Sequence, residues 1–176
     1  ISALAQKDLD FVVHLGDYIY EAAGDSYQSE NVEAKHDQLK IPSNTGKPGS
    51  TSAKIAVTTE DYRYLYKKYR TDPRLQELHA KFALIAIWDD HEFSDDCWQD
   101  AETYDNGSFN SANGLGDNTR QSSRRLNANR AWYEYMPADI SYDETAKGIN
   151  TIKIYRDFRF GNLAHLVMIP LCVKIV

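Results

Sequence analysis

The chain has 176 residues, of which 42% are hydrophobic, and a formal net charge of −6 at pH 7. That length suffices for one globular core, and no run approaches the ~20 apolar residues that a membrane-spanning helix needs. The negative field repels nucleic acid and anionic membrane surfaces, so neither is expected as a stable partner, and a phosphate-bearing partner would need local positive charge such as a metal ion.

The chain opens at Ile1 with no methionine, basic segment or cleavage pattern, which reads as the interior of a longer protein and leaves the destination of the whole open. Two cysteines, Cys97 and Cys172, are too few for a disulfide framework and lack the paired spacing of a structural zinc site.

Residues 9–15 and 82–88 ("FALIAIW") are short, nearly continuous apolar runs, the pattern of strands covered on both faces of a central sheet. Between them, residues 31–53 contain "PSNTGKPGST" and have no apolar period, so a long loop is expected there. Thr58 and Thr59 precede Glu60 and Asp61, a capping arrangement for a helix whose Tyr62, Leu65, Tyr66 and Tyr69 recur at helical spacing and read as core. Asp72 and Pro73 then mark the N-cap and first position of a second helix, which delivers the chain to the second strand as a parallel sheet requires.

Residues 95–118, acidic and rich in glycine and asparagine, read as a second long loop, with helix resuming near Asn118. That helix offers Leu126, Ala131, Trp132, Tyr135 and Met136 to the core, and Arg120, Arg124, Arg125 and Arg130 read as its solvated face. Gly161-Asn162 suits a two-residue turn between two closing antiparallel strands. The expected fold class is a mixed α/β layered domain, single and partial, over residues 1–176.

Both apolar strands end on charge: "FVVHLGDYIYE" at Gly16 and Asp17, and "AIWDDHEFSDD" at Asp89, Asp90, His91 and Glu92. If the strands run parallel, both ends lie along the sheet edge where α/β proteins bind ligands. Converging carboxylates repel unless they share protons or hold a cation, and a mixed oxygen and nitrogen set suits metal ions. An aspartate after a strand also serves as a helix N-cap, and "DDHE" also reads as a capping cluster with a surface histidine. Two such ends together favour metal. Tyr20, three residues after Asp17, can present its phenol to the same ion; core packing is the alternative.

The segments "HLGDYIYE" and "WDDHE", followed by "AWYEYMP" and "YRDFRFGNLAHLVM", resemble the PhoD-like, or alkaline phosphatase D type, family within the calcineurin-like metallophosphatase superfamily. The resemblance implies part of an αββα sandwich, incomplete at both ends here, with a two-metal centre of ferric iron plus calcium. It implies hydrolysis of phosphate mono- and diesters at alkaline pH, and a parent that is secreted, periplasmic or at the cell surface. It implies Asp17 as the carboxylate bridging the metals, Tyr20 as a ferric ligand, Asp90 as a ligand of the second metal and His91 as the phosphate-facing catalytic group. Asp89 and Glu92 complete the second motif, with Glu92 orienting His91 from behind.

The family also carries a cysteine ligand upstream and aspartate and histidine ligands downstream that this chain does not contain. Residues 169–176, "IPLCVKIV", depart from the family's Asp-x-Arg continuation. Cys97 follows the wrong strand to replace the missing cysteine, and Cys172 sits in that departing tail. The competing expectation is a catalytically silent domain that binds a cation or a partner without turnover.

His14 on the first strand reads as a hydrogen-bonded supporting residue rather than a ligand. His36, His79 and His165 read as surface. Asp95 and Asp96 are weighed as a water-mediated calcium contact against a solvated turn, the reading preferred, and the "GLG" of residues 114–116 is too short for a phosphate loop.

Overall fold

A computed structural model describes residues 1–24, 39–43, 45–46, 53–102, 119–146 and 148–170. Most of the expected loop at 31–53, residues 103–118 of that at 95–118, His36, residues 114–116 and Cys172 lie outside the described residues.

A short helix, α1 (Ser2–Ala5), precedes strand β1 (Phe11–His14), which pairs in parallel with β4 (Ala83–Ala86) in the register Phe11↔Ala83 through His14↔Ala86. The crossover between them contains α2 (Thr59–Tyr69) and α3 (Pro73–Lys81). Thr58 and Asp61 form a reciprocal capping box on α2, and the Asp72 carboxylate accepts from the Arg74 amide at the start of α3. Each cap satisfies amides that have no partner within the helix, so both helices begin where the sequence places them. Both strands therefore deliver their C-terminal ends to one edge, and the ladder continues through the Ile87 amide to the His14 carbonyl at 3.1 Å.

The strand pair is less covered than two-sided burial predicts: Val13 and Leu15 are exposed, while Ile85 and Ala86 are buried. Among the described residues this sheet has two strands, so β1 lacks a neighbour on its far side.

Two short antiparallel ladders follow, β2 (Ala22–Ala23) with β3 (Lys54–Ile55) and β5 (Ala101–Glu102) with β6 (Thr119–Arg120). The last helix, α4 (Ser122–Tyr135), starts later than Asn118 because Thr119 and Arg120 are engaged in the β5–β6 ladder. After a 3₁₀ turn at Gly148–Thr151, β7 (Arg156–Phe160) and β8 (Ala164–Met168) form the closing hairpin. Its connection has three residues rather than two, with Gly161 in the left-handed region, because Phe160 pairs directly with Ala164.

The core gathers Ile19, Tyr62, Leu65, Tyr66, Ile87, Trp88, Phe93 and Trp132 between the sheet, α2 and α4. The expected solvated arginine face is corrected in part: Arg124 and Arg125 are buried, whereas Arg120 pairs with Asp100 and Arg130 with Glu134 and Glu144 near the surface. Arginine tolerates such burial because its planar group stacks on rings while its N–H groups reach carbonyls. The Arg125 guanidinium lies 4.6 Å from the Trp88 ring centre and 5.0 Å from that of Phe93. Among the described residues no helix is long and apolar enough to cross a membrane.

Candidate metal centre at the strand ends

Gly16 permits the two strand ends to meet. Its φ is +112°, and a Cβ there would stand 2.3 Å from the Asp89 amide nitrogen and 2.5 Å from the Asp89 Cβ. Glycine meets both demands, an unusual backbone and close approach of a second chain segment. Asp17 follows in the left-handed region at φ 56°, a conformation aspartate tolerates better than most residues.

Ligand atoms of Asp17, Asp90 and His91 lie within 4.8 Å of one another. Asp17 Oδ1 is buried and has no hydrogen-bond partner among the described residues. A buried carboxylate oxygen without a donor is costly, and a cation is the partner that the Asp17 and Asp90 carboxylates can share. Burial pushes the Asp17 carboxyl up; the His91 charge opposes this, while the neighbouring Asp90 and Asp89 charges add to it. The donor chemistry therefore fits a metal ion.

Tyr20 lies beside this group. Its hydroxyl reaches Asp17 Oδ2 at 3.5 Å, and its ring packs on the His91 ring with 4.3 Å between centres. A second acidic group, Asp90, Asp95 and Asp96, brings its oxygens within 4.8 Å of one another, and the Asp96 amide donates to Asp90 Oδ2 at 2.7 Å. The expected turn at Asp95 and Asp96 thus folds back onto Asp90.

The supporting residues divide the work differently from the sequence expectation. Glu92, expected to orient His91, has no hydrogen bond to it among the described residues: its carboxylate accepts from the amides of Asp17 at 3.0 Å, Tyr18 at 2.5 Å and Asp89 at 2.7 Å, so it fastens both strand ends. Burial pushes its carboxyl up to about 7, against the lowering pull of those three amides. His91 Nδ1 instead meets Glu21 Oε2 at 2.7 Å. Burial disfavours the imidazolium, but the Glu21 bond and charge, with Asp90 and Asp17 behind them, hold the ring pKa up at about 10.

Asp89 places its amide on Glu92, and its carboxylate stands outside the Asp17, Asp90 and His91 group. His14 supports the first strand end by accepting from the Gly16 amide at 3.3 Å, and burial followed by the His79 charge lowers its pKa. His79 is half-buried rather than simply surface, sharing a 2.9 Å hydrogen bond with the Tyr18 hydroxyl; His165 is exposed and pairs with Asp157. Cys97 is buried behind the loop, its Sγ 3.9 Å from the Asp90 carbonyl, and is not among the clustered ligands.

Sequence reasoning missed Glu21, Arg124 and Arg125. Arg124 donates to the carbonyls of Ala56 at 2.7 Å and Phe93 at 3.2 Å, and so holds the loop after the second strand from beneath. Glu21 carried one signal: it directly precedes two small apolar residues, Ala22 and Ala23, that form a buried strand.

A parallel strand pair with an acidic, histidine-bearing edge, flanked by helices and small sheets, has a metallophosphatase-like fold. The solved structure of PhoD matches it with a TM-score of 0.65 and 30% sequence identity, over 94% of this chain and 27% of that one. The PhoD-like phosphatase family model matches residues 1–171, and the chain belongs to that family. A curated relative, alkaline phosphatase D of Bacillus subtilis (strain 168), is 32% identical over 165 residues, 92% of this chain and 23% of the relative. The chain thus spans about a quarter of the length of the relatives it matches.

Proposed function

We propose that this chain carries part of the metal shell and the phosphate-facing histidine of a phosphoesterase that hydrolyses phosphate mono- and diesters. The observation that carries the reading is the buried, unpartnered Asp17 Oδ1 beside the convergent ligand atoms of Asp90 and His91. Asp17, Tyr20 and Asp90 would hold a two-metal centre, and their carboxylate and phenol oxygens suit hard cations such as ferric iron and calcium. Bound there, the ions would supply positive charge for phosphoryl oxygens and acidify water.

The chain's own residues supply position and protons. The left-handed backbone at Asp17 and the Glu92 bonds to the Asp17, Tyr18 and Asp89 amides set the spacing of the two strand ends. Tyr20 confines one face of the His91 ring. In this reading His91 donates a proton, or a hydrogen bond, to the departing ester oxygen.

The test is metal content after equilibration with iron and calcium, together with hydrolysis of p-nitrophenyl phosphate and bis-p-nitrophenyl phosphate. Stoichiometric iron that is lost in Asp17→Asn and Tyr20→Phe is expected, as is a fall in hydrolysis of about 10²-fold or more in His91→Ala. Unchanged turnover in His91→Ala would remove the assignment. The competing reading is a domain that binds metal or a partner without turnover. Metal retention without hydrolysis would establish that one.

A further inference from the structure

We propose that Arg125 is a positioning residue for the candidate metal centre: its guanidinium, held between the Trp88 and Phe93 rings, fixes both ends of the segment 89–92 and with it the placement of Asp90 and His91. This rests on the reading of Asp90 as a metal ligand and His91 as the phosphate-facing group.

Arg125 is 1% exposed. Arg63, Arg120 and Arg130 each meet a carboxylate, whereas Arg125 has no carboxylate partner among the described residues and its Nε has no hydrogen-bond partner there. A guanidinium taken out of water without a counter-charge carries a desolvation cost, and an apolar side chain of similar volume is often no less stabilising at such a site. What this one gains is two aromatic faces: its Cζ lies 4.6 Å from the Trp88 ring centre and 5.0 Å from that of Phe93. A planar cation can stack on both rings at once, which a compact ammonium cannot.

Those two rings bracket the functional segment. Trp88 directly precedes Asp89 and Phe93 directly follows Glu92, so one rigid group sets the separation of the points where the segment leaves the core and returns to it. Arg125 Nη1 also points to Cys97 Sγ at 3.9 Å, and that sulfur lies 3.9 Å from the Asp90 carbonyl. The same carbonyl accepts from the Phe93 and Ser94 amides at 2.8 Å, and the Cys97 amide donates to the Ser94 carbonyl at 3.0 Å. Glu92 ties the segment to the first strand end through its own carboxylate, and Arg125 holds it from α4.

Arg125→Met separates positioning from support of the fold. The flexible thioether chain fills most of the volume and removes the buried charge, so global stability is expected to hold while the planar stack between the rings is lost. Three measurements on the whole chain read the outcome: urea unfolding, hydrogen exchange of the metal-free protein, and titration with terbium(III), a hard cation that takes oxygen ligands and whose emission nearby tryptophan sensitises. The expected result is an unfolding midpoint no lower than that of the wild type and a terbium midpoint about 10-fold weaker. Exchange at the Ser94 and Cys97 amides is expected to be about 10-fold faster, with the α3 amides unchanged.

Unaltered protection at Ser94 and Cys97 overturns the proposal, and so does loosening there with an unaltered terbium midpoint. A lowered unfolding midpoint with loss of protection throughout α3, or a variant that does not fold, overturns it as well, because Arg125 would then support the core as a whole. If the wild type binds no terbium, the metal-centre reading fails separately. The exchange pattern of the metal-free protein still decides whether Arg125 holds the segment, and equal protection in both proteins overturns the proposal in that case too.

Discussion

The carboxylate of Glu92 accepts a hydrogen bond from the backbone amide of Asp17, 75 residues earlier in the chain, at 3.0 Å. With the amides of Tyr18 and Asp89 on the same carboxylate, this side chain closes the gap between two strand ends that the parallel ladder brings only to the same edge. Glu92→Ala leaves those amides without their acceptor in a buried setting. Each such loss costs about 1–3 kcal/mol, so the variant is expected to lose on the order of 3 kcal/mol after partial relaxation. Urea unfolding followed by circular dichroism measures this, and an unchanged midpoint would show that the three bonds contribute nothing.

Gly16 faces the same junction from the other side. A Cβ at that residue meets the Asp89 amide nitrogen at 2.3 Å, and backbone cannot swing aside as a flexible side chain can. The left-handed φ adds strain of roughly 1–3 kcal/mol for a non-glycine residue. Gly16→Ala is expected to lose about 4 kcal/mol or more, placing it among the most severe single substitutions. Thermal unfolding checks this; a melting temperature within experimental error of the wild type would contradict the close approach.

The elements with local signals were legible in the sequence. Thr58 with Asp61 and Asp72 with Arg74 mark helix starts through bonds that span two or three residues, so local chemistry alone places them. The convergence of Asp17 with Asp90 and His91 was legible for another reason: two apolar runs separated by helices imply parallel strands, and parallel strands share their C-terminal edge. The roles of Glu21 and Glu92 were not legible, because each is decided by a partner more than 60 residues away. The burial of Arg124 and Arg125 was hidden similarly, since a basic pair on an amphipathic helix ordinarily faces water.

Arg124 supplies a third prediction. Its guanidinium donates to the Ala56 and Phe93 carbonyls and reaches the Tyr62 hydroxyl at 3.1 Å, and it lies over the Phe93 ring. Lysine keeps the charge but cannot present a planar fork to several acceptors. Arg124→Lys is expected to lose about 2 kcal/mol, and it should loosen the loop that carries Asp90 and His91. Hydrogen exchange of the Phe93 and Ser94 amides, which both donate to the Asp90 carbonyl at 2.8 Å, reports this directly. Faster exchange there, with the α3 amides unchanged, is the expected pattern; equal protection in both proteins would assign Arg124 no role in holding the loop.

Asp61 yields the pH dependence. Burial alone would raise its carboxyl, but the amides of Thr58, Ser43 and Val57, at 2.8, 2.7 and 3.0 Å, hold it below its usual value of 3.8. A carboxyl whose folded pKa is depressed contributes stability above its unfolded pKa and loses it as pH falls through the folded one. The contribution should therefore be fully present at neutral pH and disappear below about 3.8. Asp61→Asn removes the charge while keeping a similar shape, and it exchanges an acceptor oxygen for an NH₂ group that faces donors. The variant is expected to be less stable than the wild type by about 2 kcal/mol at pH 7, with the gap narrowing as pH falls below 3.8. Denaturant unfolding at a series of pH values measures both slopes. A gap that stays constant across that range would mean that the amide bonds to Asp61 do not distinguish its ionised form from its protonated one.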